Sequence, residues 1–276
     1  MADHFSGKIA LVTGAASGIG RALGEELCRR GAHSILADVN IEGAELCATE
    51  ICTAGGSAEA VNLDVTDAEA VRKVVEKTVA RHKRIDYLFN NAGIGIGADT
   101  RDTALADWKR VIDVNLWGVI YGIDAAYSIM IDQGFGHIIN TASMAGLIPF
   151  PVITSYTASK HAVVGLSLAL RAEAQDLGVR VSVICPGFVQ TGIFDASKTI
   201  NIDRGKMIKE IPFAFPADFT ARRILKGVRR NWAVITPTPD GRPLWWVYRT
   251  FPWLFTRFLR KMIRDVRKMR IEQPET

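Results

Sequence analysis

The chain has few cysteines, and none is placed to act with another. Cys28, Cys47, Cys52 and Cys185 form no C-x-x-C pair, and the five histidines show no H-x-x-x-H spacing. Neither a disulfide framework nor a metal motif is expected. Cys185 ends the apolar run VRVSVIC, where a buried, inert thiol is the simpler reading, in a reducing cytoplasm. No secretory signal is expected at the start of the sequence, because the apolar run at residues 9–12 is broken at once by Thr13 and Gly14. Long hydrophobic runs are missing too. The longest stretch without Lys, Arg, Asp or Glu, residues 133–159, contains Asn140, several Ser and Thr, and two prolines. A spanning helix needs ~20 mostly apolar residues, so this stretch reads as strand, loop and helix start. There is no low-complexity tract or internal repeat. Nor does any helix-turn-helix, zinc or RNP signature accompany the basic residues, so no nucleic-acid partner is expected.

What is present is a globular composition, 48% hydrophobic and 23% charged over 276 residues, long enough for one large domain. The net charge of +5 sits at one end, because residues 242–276 hold nine Lys/Arg against three Asp/Glu. That divides the chain into a body, residues 1–241, and an aromatic, basic tail, residues 242–276.

Along the body, short β-branched runs alternate with longer helical patterns. The strands are KIALVT, HSILAD, AEAVNLD, RIDYLFN, GHIINTAS, VRVSVIC and WAVIT, and a long helix is expected near 103–131. Seven strands separated by helices predict an α/β fold: a single doubly wound, Rossmann-type domain whose seven-stranded parallel sheet has helices on both faces. Its site is expected at the carboxyl ends of the strands.

The first strand runs into LVTGAASGIGRAL. Gly14, Gly18 and Gly20 let the backbone turn tightly and approach a pyrophosphate at the helix N-terminus. Asp38 ends the second strand, where a carboxylate can accept from both hydroxyls of an adenosine ribose and repel a 2'-phosphate. NAD is therefore expected over NADP, with Arg21 the one nearby cation. Tyr156 and Lys160 stand four apart at a helix start, on one face. Ser143 lies at the end of the fifth strand, and Asn115 on the preceding long helix. A phenol with a pKa of about 10 is a poor base at neutral pH, so alcohol chemistry requires a cation beside it. Lys160 is placed to supply one, and Ser143 to donate to a substrate oxygen.

Taken together, TGAASGIG, NNAG at 90–93, Asn115, Ser143, YTASK and PGFVQT at 186–191 resemble the short-chain dehydrogenase/reductase family over roughly residues 5–240. The resemblance implies a catalytic tetrad of Asn115, Ser143, Tyr156 and Lys160, with Asn115 holding a relay water behind Lys160. It implies cofactor contacts from Gly14, Ser17, Gly18, Ile19, Gly20, Asp38, Asp64, Val65, Asn91, Ala92, Gly93, Tyr156, Lys160, Pro186, Gly187 and Thr191. It also implies a homodimer or homotetramer in which the two long helices pair across subunits.

The family reads its substrate with the segments MAGLIPFPVITS and GFVQTGIFDAS. Beside Ser143 and Tyr156 these place Met144, Leu147, Ile148, Phe150 and Phe188, which favour a lipophilic alcohol or ketone: sterol-like, retinoid-like or long-chain. A 3-oxoacyl-carrier-protein reductase is the alternative, with Lys198, Arg204, Lys206 and Lys209 available for an anionic carrier. A non-enzymatic cofactor-binding protein is the third reading, and the intact tetrad argues against it. In the tail, Phe255, Leu259, Met262, Val266 and Met269 recur at steps of four and three among arginines and lysines. This predicts a basic amphipathic helix, too short in apolar run to span a bilayer and suited to peripheral membrane contact. The alternative is that it packs on the body or a partner subunit over the substrate mouth.

Overall fold

The computed structural model describes residues 3–191, 198–209 and 214–271. Seven parallel strands form the central sheet: β1 (Ile9–Thr13), β2 (His33–Asp38), β3 (Ser57–Asn62), β4 (Tyr87–Asn90), β5 (Gly136–Thr141), β6 (Val179–Ile184) and β7 (Val234–Ile235). Their spatial order is β3-β2-β1-β4-β5-β6-β7. The order reverses between β1 and β4, which opens a crevice at their carboxyl ends. All five residues of β1 and all four of β4 are buried, as strands covered on both faces must be.

On one face lie α1 (Gly18–Arg29), α2 (Ile41–Thr53) and α8 (Ala217–Arg229), whose Leu23, Leu27, Ile51, Ile224 and Leu225 bury against the sheet. On the other lie α3 (Ala68–His82), α5 (Gly118–Gln133) and α6 (Thr154–Glu173), through Val71, Val75, Met130 and Leu170. Local signals set the ends. Asp67 caps α3 by accepting from the amides of Glu69 and Ala70, each at 3.0 Å, and Lys83 stops it in a left-handed conformation. The expected long helix is present as one continuous run, Leu105–Gln133, with a change of pitch inside it. Here α4 (Leu105–Ile112) passes into α5 through a single π-helical turn, Asp113–Trp117, and Asn115 sits in that turn. The turn has no signature in the hydrophobic period, so it was not legible. A short parallel pair, Ile96–Gly97 with Lys198–Thr199, and α7 (Arg204–Lys209) stand above the crevice.

The tail forms α9 (Gly241–Thr250) and α10 (Pro252–Arg267). The apolar stripe expected to enter a membrane interface turns inward instead. Phe255 is 5% exposed among Val119, Met144, Leu147, Ile148 and Val163, with Leu244, Trp245, Tyr248 and Leu259 around it. Two of the tail cations are committed to carboxylates after β4: Arg267 to Asp99 at 3.1 Å and Arg270 to Asp102 at 2.8 Å. The physical reason is that an amphipathic period specifies an apolar partner without specifying which one, and Met144, Leu147 and Ile148 supply it within the chain.

Candidate active site

The glycine loop is shaped by close backbone approach. Gly14 has φ +68°, and a Cβ there would stand 2.9 Å from the Ala92 Cα; at Gly20 it would stand 2.0 Å from the Gly14 carbonyl oxygen. Ser17 precedes α1 without capping it, so the first amides of α1 keep their donors for an anion. Ile19 packs on the core beneath. Thr191, beyond β6, lies against Gly18, where a Cβ would meet it at 3.0 Å, so the segment at 186–191 reaches back over the crevice to the phosphate end.

Asp38 has a second task that its position alone did not reveal. Its Oδ2 accepts from the Ala16 amide and its Oδ1 from the Asn40 amide, both at 2.9 Å. The carboxylate therefore braces the glycine loop as well as ending β2. Arg21 is engaged by Glu25 at 2.8 Å and by Glu50, which draws its charge away from the ribose end of the crevice. Asp64 accepts from the Thr66 amide and hydroxyl, and the neighbouring Val65 packs where Gly118 leaves room.

The strand ends are laced together. The Thr13 hydroxyl accepts from the amides of Asn91 and Ala92 at 2.9 and 3.0 Å, and the Asn91 carboxamide donates to the Thr13 carbonyl at 3.0 Å. The Thr141 hydroxyl donates to the Asn91 side chain at 3.2 Å, and the Thr141 carbonyl accepts from Lys160 Nζ at 2.8 Å. Gly93 leaves the space between Asn115 Oδ1 and Lys160 Nζ, 3.2 and 3.3 Å from where a Cβ would be. Pro186 accepts from the Met144 amide at 2.8 Å, and the Gly187 amide donates to the Thr238 hydroxyl at 3.1 Å.

Tyr156 and Lys160 project from the first turns of α6, with the ammonium 5.5 Å from the centre of the phenol ring. Ser143 begins the short turn after β5, accepts from the Ala145 amide at 3.1 Å, and favours the ionised form of the Tyr156 phenol. Burial dominates both ionisable groups. It pushes the Tyr156 phenol above its ordinary range, with the Ser143 hydrogen bond opposing, and it lowers the Lys160 ammonium to about 8. In this state burial is the largest influence on the phenol, and Ser143 is the group that opposes it. Cys185, pushed up to about 12 by burial, is the inert thiol the sequence suggested.

Asn115 is fully buried. Its Oδ1 accepts from the Ile94 amide at 2.8 Å, and its Nδ2 donates to the Ile94 carbonyl at 2.9 Å and to Ser159 Oγ at 3.1 Å. Ser159 in turn donates to the Tyr156 carbonyl at 2.7 Å. Ser159, Thr13 and Thr141 were missed in the sequence. Their only signal is a small polar residue beside each motif, which many solvated positions share.

Of the apolar substrate-segment residues, Met144, Leu147 and Ile148 are buried and Phe150 partly so, all in the cluster that holds Phe255. Met144 Sδ also lies 3.1 Å from the Cβ position of Gly241, the first residue of α9. Phe188 is partly buried, and its carbonyl accepts from the Phe215 amide at 2.9 Å. Residues 192–197 of the second segment and the Lys209 side chain lie outside the described residues.

The glycine cradle, the acceptors on Asp38 and the uncapped start of α1 fit a dinucleotide. The phenol, hydroxyl and ammonium at its far end are placed to move a proton. Such geometry defines a class: oxidoreductases that hold a dinucleotide across the switch point of a parallel sheet. The sequence pattern of the short chain dehydrogenases matches residues 8–201. A cyclohexanol dehydrogenase from Acinetobacter sp. (strain SE19) is 38% identical over 192 residues, covering 69% of this chain and 76% of the relative. A Burkholderia phymatum short chain dehydrogenase/reductase, solved in complex with NAD, superposes with a TM-score of 0.80 at 29% identity over 99% of both chains. A Beutenbergia cavernae structure with NADP bound at low occupancy gives 0.74 at 34% identity, covering 84% of this chain and 96% of its own. The chain belongs to the short-chain dehydrogenase/reductase family, and it is an oxidoreductase acting on alcohol or ketone groups.

Proposed function

We propose that the enzyme oxidises a lipophilic alcohol, sterol-like, retinoid-like or long-chain, with NAD. The observation that carries the substrate class is the uncharged surround of the crevice. The segment after Ser143 carries Met144, Leu147, Ile148 and Phe150 with no charged residue among them, and these pack against Phe255, Trp245 and Tyr248 from the tail. The carrier-thioester alternative needs free cations near the entrance. Lys198 instead pairs with Asp107 at 3.0 Å and Lys206 with Asp203 at 3.4 Å.

Gly14, Ser17, Gly18, Ile19, Gly20, Asn91, Ala92, Gly93, Pro186, Gly187 and Thr191 would line the cofactor, Asp64 and Val65 the adenine, and Asp38 the ribose hydroxyls. When bound, NAD supplies the acceptor for the hydride leaving the carbinol carbon. Ser143 donates a hydrogen bond to the substrate oxygen, and Tyr156 takes the hydroxyl proton as the phenolate, the form the Lys160 ammonium favours once the phenol's own proton has passed to solvent. Lys160 uses one donor on Thr141 and keeps the others for ribose hydroxyls and for the field at the phenol. The Asn115 side chain is occupied by Ile94 and Ser159, so a relay water behind Lys160 would rest on backbone groups opened by the π turn. The family's subunit pairing through α5 and α6 is supported by Trp117, at the end of the π turn that leads into α5, and Leu168 on α6, large apolar residues left exposed.

A second reading concerns the tail. With the stripe of Phe255 turned inward, the outer surface still exposes Trp246 at 62%, Trp253 at 63% and Phe258 at 55%, beside Phe251 and Leu254. Arg257, Arg260 and Lys261 border them. Aromatic side chains among cations suit the headgroup boundary of an anionic bilayer, so peripheral attachment through this outer patch is proposed in place of the inner stripe.

The substrate reading is tested by NAD and NADP turnover on alcohols graded in chain length and ring count, with detergent present. Efficiency should climb with apolar size and favour NAD. Better turnover of 3-oxoacyl thioesters with NADPH would replace this reading with the carrier reductase.

A further inference from the structure

Away from the crevice, three side chains from distant parts of the sequence meet at the amino-terminal edge of the sheet. His33 begins β2, Glu59 is the third residue of edge strand β3, and His82 ends α3. The parallel register pairs His33 with Ser57 and Ile35 with Glu59. With a period of two along a strand, His33 and Glu59 therefore face the same side, and α3 ends over that side. We propose that His33, Glu59 and His82 form a binding site for a zinc-like divalent transition-metal ion that clamps β2, β3 and α3 together.

The geometry suits a small tetrahedral ion. His82 Nε2 lies 3.2 Å and His33 Nε2 3.6 Å from the same oxygen, Glu59 Oε1. One ligand atom from each of the three residues falls within 4.8 Å of the others. Ligands about 2.0–2.2 Å from a tetrahedral zinc ion stand roughly 3.3–3.6 Å apart, so little movement is needed. Two imidazoles and one carboxylate are a donor set for zinc, copper or nickel, with a fourth position left for water. Magnesium and calcium, which require oxygen ligands, are excluded by it.

Two further observations point to the same use. His33 Nδ1 is held by Ser57 Oγ at 2.7 Å, while His33 Nε2 is buried without a hydrogen-bond partner. That is the arrangement of a ligating histidine: one nitrogen fixed by a neighbouring group, the other aimed into the site. Arg81 pairs with the far oxygen of the carboxylate, Glu59 Oε2, which orients Oε1 inward as a single donor. The same guanidinium places a positive charge nearby, so affinity in the micromolar range is expected, below that of a dedicated zinc module. Among the described residues this is the one group of three such ligands. It lies at the opposite end of β2 from Asp38, so the ion would act on the stability of the edge and take no part in hydride transfer.

The experiment uses the untagged full chain, stripped with chelator, and zinc chloride as the probe. Calorimetry should show one equivalent bound with a Kd of roughly 1–50 μM, and zinc should raise the melting temperature where magnesium and calcium do not. Cobalt(II) should give the intense visible bands of a tetrahedral adduct. His33→Ala, Glu59→Gln and His82→Ala should each weaken zinc binding at least tenfold, with NAD binding as the check that the variants are folded. Absence of one-equivalent binding in the wild type would overturn the proposal, and so would zinc binding that persists unchanged in folded His33→Ala and His82→Ala proteins. If the three variants fold poorly, cobalt spectra of the wild type still decide: octahedral, weakly absorbing cobalt rejects the site.

Discussion

The Lys160 ammonium donates to the Thr141 carbonyl at 2.8 Å while only 2% exposed, and among the described residues no carboxylate pairs with it. A buried ammonium satisfied by a neutral oxygen is costly, and its pKa of about 8 expresses that cost. Holding this lysine as an ammonium costs stability, a cost consistent with the catalytic role proposed for it.

A stability prediction follows with a defined sign. The folded-state value is below the unfolded one, so the unfolded chain binds the extra proton, and stability rises with pH between about 8 and 10.5 on this account. Lys160→Met should therefore be more stable than wild type at pH 7, by on the order of 1–3 kcal/mol, and the gap should close as pH approaches ten. Urea unfolding at a series of pH values checks it. A variant less stable than wild type at pH 7 would mean that the Thr141 hydrogen bond outweighs desolvation. Turnover should be lost in the same variant, since among the described residues Lys160 is the cation that stands against the Tyr156 ring.

Tyr156→Phe removes the proton acceptor and leaves the glycine cradle untouched. The catalytic rate should fall ~10²- to 10⁴-fold, with NAD affinity nearly unchanged by fluorescence titration. Ser143→Ala should fall less far and should raise the phenol pKa further, because the one hydrogen bond opposing burial is gone. Its pH–rate profile should shift to higher pH relative to wild type.

Much of this site is legible in the sequence. The β1 run IALVT is fully buried and apolar, and its punctuation by Gly14 admits one kind of turn. Tyr156 and Lys160 announce a shared face by their spacing of four. Other parts had no local signature. Asn115 faces inward because a π turn rotates it, and no period of the sequence encodes that. The inward turn of Phe255 depended on a partner surface, Met144 to Ile148, about a hundred residues away. His33, Glu59 and His82 meet only through sheet register.

Asp38→Ala should act on two levels. Loss of the carboxylate should move the kcat/KM preference from NAD toward NADP. Loss of the Ala16 amide's acceptor should loosen the glycine loop, costing about 1 kcal/mol in stability and weakening both cofactors. Asp38→Asn keeps an acceptor for Ala16 without the charge, so it should shift preference with less loss of stability. Equal changes in the two variants would show that the brace contributes nothing.

The last prediction separates the two faces of the tail. Phe255→Ala removes a ring buried among Met144, Leu147 and Ile148, and core Phe→Ala changes cost about 3–5 kcal/mol. Stability and turnover should both drop as the tail loosens over the substrate segment. Ending the chain after Asp240 should go further, because the same apolar residues would face water; the shortened protein should bind a hydrophobic dye and aggregate. Trp253→Ser with Leu254→Ser removes side chains that are 63% and 48% exposed, so melting temperature and NAD binding should stay within experimental scatter of wild type. If the outer patch meets lipid, that double variant alone should lose salt-sensitive pelleting with anionic vesicles while remaining fully active on a water-soluble alcohol. Equal pelleting of wild type and double variant would leave the tail with its inner task only, that of closing the crevice wall behind Met144.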